Sequence, residues 1–207
     1  MLTRNHIDLA KFILRNSDHT ELRRYSALFI LGCIWPDINL LTYIVSHNAN
    51  KRLVDVEKCL LKLMRLKRLS PINAFRFGVA LHYVADSFTM THNPLFFKGN
   101  ILEHLDYEKA LFPHMRNQLN MLVQNLSQFR QESEFSSITK MHENYLQDDL
   151  SYSTDANYII YVSTRITGIL CSQWAGKKLP YFPRNLPKEP SGIKVTIPIT
   201  ELFSGRN

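Results

Sequence analysis

The chain has 207 residues, 45 % of them hydrophobic, seven glycines and a formal charge of +7. This composition supports one globular domain with a sizeable core, and the few glycines with long 3.6-period stretches exclude an all-β fold. The sequence pI near 9.4 favours anionic partners such as nucleic acid, phospholipid headgroups or phosphate esters, with solubility alone as the alternative.

Three cysteines, Cys33, Cys59 and Cys171, lie far apart and form no C-x-x-C pair. They read as buried thiols of a reducing compartment rather than disulfides or zinc ligands. No apolar run approaches the ~20 residues of a transmembrane helix. The first residues, Met1 to His6, have no signal-peptide core, so the expected location is cytoplasmic.

In chain order, residues 4–15 read as a first helix, with His6 at its start. Ser17 or Asp18 caps a second, which runs through Phe29 and Leu31 and ends in the segment from Gly32 to Pro36. Trp35-Pro36-Asp37 reads as a break, because proline biases the residue before it away from helical geometry. Asp37 then stands just past a helix end, as a cap of the next turn or as a group aimed into a cleft. Ser46-His47-Asn48 follows a short apolar stretch. Residues 51–69 are amphipathic: Leu53, Val56, Leu60 and Leu63 face one side, Lys51, Lys58, Lys62 and Arg65 the other. The basic side is a solvated face or an electrostatic dock for an anionic polymer or peripheral membrane surface.

Ser70 caps and Pro71 opens a helix over 71–88. Residues 101–130 form a long helix in which Pro113 is a candidate kink, followed by helices over 132–147 and 154–174. The last is rich in Ile, Val and Tyr, so strand is its alternative. Five prolines after Gly176 end the helical region, and the alternation over 193–197 suggests one extended strand. The expected organisation is an all-α domain over 1–176 with an extended, proline-rich tail over 177–207 packed along it.

His82 and Asp86 are four residues apart, which stacks them on one helix face, and His92 follows just past the helix end. His104 and Glu108 repeat the spacing on the next helix. Imidazole plus carboxylate is a ligand set that suits zinc in open, catalytic sites. His19, His114 and His142 read as ordinary core or surface residues. His142-Glu143 is not followed by the second histidine of a zinc-protease motif, and no His-Asp doublet occurs.

The block His82-Tyr83-Val84-Ala85-Asp86, then His92, His104 and Glu108, resembles the zinc-dependent phospholipase C family, which shares an all-helical fold and a trinuclear zinc site with fungal single-strand nucleases. Trp35-Pro36-Asp37, Ser46-His47 and His6 resemble further segments of that family, over roughly residues 1–110. The resemblance implies two or three zinc ions: one on His47, His82 and Asp86 with Asp37 at or beside it, one on His92, His104 and Glu108, and a third on His6 and a bridging Asp86. The family's third site is completed by an N-terminal amine, usually of a tryptophan; here residue 1 is Met, whose amine is close enough in sequence to reach. The family's proline in the ligand turn is replaced by Thr89 or Met90. The implied activity is phosphodiester hydrolysis by metal-activated water that Asp37 orients or deprotonates. A single-strand nuclease and a metal-binding helical protein of little turnover are the alternatives.

Overall fold

The computed structural model describes residues 1–17, 19–39, 49–129 and 137–176. The expected ligand His47, residue Asp18 and the tail over 177–207 lie outside the described residues. Those described form helices and one 3-10 turn, with no strand among them: α1 (Thr3–Asn16), α2 (Thr20–Arg24), α3 (Ser26–Ile38), α4 (Ala49–Met64), α5 (Pro71–Ser87), the 3-10 turn (Met90–His92), α6 (Ile101–Phe129), α7 (Ile138–Tyr145) and α8 (Tyr152–Trp174). Residues 154–174 are therefore helix, not strand, and α6 runs on through Pro113.

Capping follows the chemistry of the sequence. Ser70 accepts from the Asn73 amide with Pro71 at the first helical position, and Ser151 accepts from Thr154 in the same way. At α2 the cap is His19, whose Nδ1 accepts from the Leu22 amide, while Ser17 accepts from His19 one step earlier. The expected second helix is divided at Tyr25 into α2 and α3.

Helix α5 is the central element. Every residue from Phe77 to Ser87 is buried, with α1, α3, α4 and α8 packed around it. Its most extensive partner is α3, and the reason lies in two glycines. A Cβ on Gly32 would stand 2.1 Å from the Phe75 carbonyl oxygen, and one on Gly78 would stand 2.2 Å from that of Phe29. Only glycine at both crossing points lets the two backbones touch.

That crossing also corrects the reading of Trp35-Pro36. Helix α3 does not stop at Gly32; it continues through Pro36 to Ile38, with the Asn39 amide bonded to the Trp35 carbonyl at 3.0 Å. Proline removes one ladder hydrogen bond, yet its effect on the preceding residue is a bias that packing can override. Pro36 is buried, and Trp35 packs edge-on against Phe75 of α5. Asp37 consequently sits in the last turn of α3 rather than after it.

Candidate metal centre

Helix α5 presents His82 and Asp86 on one face, as the four-residue spacing requires. The close crossing of α3 brings the Cys33 carbonyl to 2.8 Å from His82 Nδ1. A carbonyl only accepts, so Nδ1 carries the proton and Nε2 points at Asp86 Oδ2, 3.1 Å away, and Asp37 Oδ1, 3.7 Å away. Asp37 is held from its other side by Thr3, whose hydroxyl donates to Oδ2 at 2.8 Å. Helix α1 also delivers His6, whose ring stacks on that of His82 with centroids 3.9 Å apart. His6 Nε2 approaches Asp86 Oδ1 to 3.3 Å, but is buried without a hydrogen-bond partner.

The second half of the site comes from the 3-10 turn and α6. Glu108 Oε1 is ringed by three nitrogens: His104 Nε2 at 2.8 Å, His92 Nε2 at 3.2 Å and the Met1 amine at 2.8 Å. The same amine lies 2.8 Å from Asp86 Oδ1 and 3.1 Å from His92 Nε2. Asp86 thus faces both halves, with Oδ2 toward His82 and Oδ1 toward His6 and the amine. The potential ligand atoms of His6, Asp37 and His82 fall within 4.8 Å of one another, and those of His92, His104 and Glu108 do likewise. Both groups open on a single pocket of about 380 Å³.

The structure brings together His6, Asp37, His82, Asp86, His92, His104 and Glu108, all the expected donors among the described residues. His6 lies beside His82 and Asp37, and its Nε2 and the Met1 amine both approach Asp86 Oδ1, the grouping the resemblance implies for a third ion; the amine also reaches His92 and Glu108. The three histidines read as ordinary remain outside. His19 caps α2, His114 stacks on Tyr152, and buried His142 bonds Asn93 Oδ1 at 2.8 Å.

Electrostatics in this pocket are severe. Burial raises the Asp86 and Glu108 carboxyls, but the surrounding imidazoles and the amine outweigh it and hold both well below the usual carboxylate range. Burial lowers the Met1 amine, yet Asp86 and Glu108 carry it up to about 10. Burial and the neighbouring His82 ring push His6 down to about 4, so it is neutral at pH 7. The His82 tautomer then matters. With Nδ1–H engaged, the Nε2 lone pair of a neutral ring would face two carboxylates, which is repulsive unless a cation lies between. A proton or a metal ion meets that need, and burial opposes the proton while Asp86 and Asp37 favour it. The orphaned His6 nitrogen and the backbone-oriented His82 ring fit a metal ligand set, since ligating histidines are held through their second ring nitrogen.

Two anchors were missed from sequence. The Cys33 carbonyl has no side-chain signature and depends on the glycine crossing. Asp155 of α8 accepts from the Met90 amide and from the Tyr107 and Tyr145 hydroxyls. Its signal was present: it lies in register with Ile159, Val162 and Ile166, an acidic residue on a buried apolar stripe.

The sequence profile of the zinc dependent phospholipase C family matches residues 5–163. The chain belongs to that family, and its all-α architecture agrees with it. No curated protein and no solved structure matches the chain.

Proposed function

We propose that the protein hydrolyses the phosphodiester of phospholipids at a zinc centre of two or three ions. One ligand group is His6, Asp37 and His82, with Asp86 spanning toward the other, His92, His104 and Glu108; His47 is the further ligand that the family resemblance implies. The observation that carries this reading is the placement of two such donor groups on either side of the Asp86 carboxylate, which His6, His82 and His92 approach, within one pocket. Zinc, when bound, supplies Lewis acidity that polarises a phosphoryl oxygen and acidifies water toward pKa ~7.

The chain's own residues then have defined tasks. Cys33 fixes the His82 tautomer and ring plane. Thr3 pins one oxygen of Asp37, which leaves Oδ1 turned to the pocket to orient a water or take its proton. The Met1 amine, 2.8 Å from both Asp86 Oδ1 and Glu108 Oε1, would be a further nitrogen donor to an ion held there, as the family resemblance implies.

The rim favours a lipid over a nucleic acid. Leu95 is 70 % exposed, Ile101 66 % and Leu102 68 %, and Phe96 and Leu105 join them; Ile101 and Leu105 also line the pocket. A phospholipase C cut leaves the acyl-bearing glycerol on the outside of the scissile bond, where the apolar Ile101 and Leu105 at the pocket match it. Single-stranded nucleic acid would call for stacked aromatics and a cationic groove.

The test is turnover by the zinc-loaded protein on phosphatidylcholine vesicles, a soluble phosphodiester and single-stranded DNA. Release of diacylglycerol and a phosphorylated headgroup is expected, with Ile101→Glu lowering vesicle turnover several-fold and sparing the soluble ester. Cleavage of DNA alone would favour the nuclease, and stoichiometric zinc with no turnover would favour a binding protein.

A further inference from the structure

We propose that Asp155 is a positioning residue for the His92, His104 and Glu108 group, an inference that rests on the zinc-centre reading above. Asp155 is fully buried in the first turn of α8, where the helix N-terminus favours a carboxylate. Its Oδ2 accepts from the Met90 amide at 2.9 Å and from the Tyr107 hydroxyl at 2.8 Å, while Oδ1 accepts from the Tyr145 hydroxyl at 2.7 Å.

The two partners of Oδ2 are informative. Met90 opens the 3-10 turn that ends at His92. Tyr107 directly precedes Glu108 and lies one turn after His104 on α6. One oxygen of α8 thereby joins the two segments that carry all three donors. These segments are otherwise linked by the stretch from Asn93 to Asn100, in which Pro94, Leu95, Phe96, Lys98, Gly99 and Asn100 are exposed. Without this anchor, the spacing between His92 on the turn and Glu108 on the helix would rest on that exposed connection and on the contacts of the donors themselves with each other and with the Met1 amine. The far end of the turn has its own fastening: Asn93 donates to the Ser87 and Thr89 carbonyls and is bonded to His142. Asp155 fastens the near end and, alone of the two, reaches α6 through a hydrogen bond.

A role confined to satisfying buried hydroxyls makes a different forecast. Tyr145 lies on α7 and bonds only the other oxygen, so removing its hydroxyl disturbs the carboxylate without releasing Met90 or Tyr107. Asp155→Asn removes the charge and one acceptor at similar volume: with its amide toward Tyr145, whose hydroxyl can accept, Met90 and Tyr107 keep only the weaker bonds of a neutral oxygen.

The experiment is zinc binding to the full chain, measured by chelator competition and metal analysis on wild type, Asp155→Asn, Tyr145→Phe and the double variants with His104→Ala and His82→Ala. Asp155→Asn is expected to weaken one ion by about tenfold, the scale of supporting-shell losses, and leave the remainder unchanged. Combined with His104→Ala it should cost nothing more, and combined with His82→Ala it should cost its full amount. Tyr145→Phe should lower thermal stability and keep wild-type zinc affinity. Wild-type affinity in folded Asp155→Asn, or an equal loss in Tyr145→Phe, overturns the proposal. If Asp155→Asn does not fold, Tyr107→Phe carries the test on the α6 arm alone: the same ion weakened supports the proposal, and unchanged affinity overturns it. A wild type that binds no zinc overturns the zinc centre itself, whereas a zinc-loaded wild type with an unaffected Asp155→Asn overturns only this inference.

Discussion

Replacing Gly78 by alanine tests the link from backbone packing to metal ligand. The new Cβ would meet the Phe29 carbonyl oxygen at 2.2 Å, the Cys33 nitrogen at 2.8 Å and the Gly32 Cα at 2.9 Å. All three are backbone atoms and none can swing aside. A carbon rests against a carbonyl oxygen at about 3.3 Å, so α3 and α5 must part by about 1 Å. Cys33 O and His82 Nδ1, now 2.8 Å apart, would then exceed hydrogen-bond reach. Overpacking of this kind costs about 1–3 kcal/mol, which lowers Tm by about 2–12 °C in a chain of this size. Loss of the fixed tautomer should weaken zinc by at least about tenfold. Calorimetry and zinc titration measure both effects. Gly168→Ala is the counterpart, because nothing lies within 4 Å of its Cβ in the middle of α8. Alanine is there the better helix former by about 0.8–1 kcal/mol, so Tm should rise by a few degrees. A Gly78→Ala protein with wild-type Tm and wild-type zinc affinity would refute the reasoning.

Asp37→Asn should cut turnover by about 10² or more because the amide takes no proton, with metal content separating a base from a ligand; full activity on a verified phosphodiester would end that role. His82→Ala and Asp86→Ala should each lose more zinc than His142→Ala, whose bond to Asn93 is structural; equal losses in metal analysis would mean that the wrong histidine was chosen. In the metal-free protein the Met1 amine has its pKa raised from 8.0 to about 10 by Asp86 and Glu108 against the opposing effect of burial. Its stabilisation is complete below pH 8 and disappears as pH rises through 10, a loss of roughly 3 kcal/mol. Urea midpoints of chelator-treated protein should fall across that window, and a rise would contradict the charge pairing.

The clustering of candidate donors was legible because their residue types recur at helical spacing. The pairs His82/Asp86 and His104/Glu108 announce a shared face before any fold is known, and the amphipathic pattern of 51–69 announces α4. Helix ends were legible where a side chain caps them, as at Ser70 and Ser151. Pro36 misled because its local bias was outweighed by a long-range event, the contact of two glycines 46 residues apart in sequence. Asp155 stood out only as an acid in register with Ile159, Val162 and Ile166; its partners, a backbone amide and two tyrosines from other helices, are recorded by no local pattern. The exposure of Leu95, Ile101 and Leu102 likewise depends on what the fold leaves uncovered, and an apolar residue reads the same inside or outside.

Burial along α5 has a consequence in time. A helix enclosed from Phe77 to Ser87 exchanges its amides only when the whole protein opens, so His82 and Asp86 keep their places for as long as the native state lasts. The first turns of α6 run along the surface, with Ile101, Leu102, Glu103, Leu105 and Asp106 exposed around His104. Segments of that kind open locally and far more often. The two walls of one pocket are therefore expected to exchange their amides at different rates, the start of α6 first and the stretch around His82 and Asp86 last.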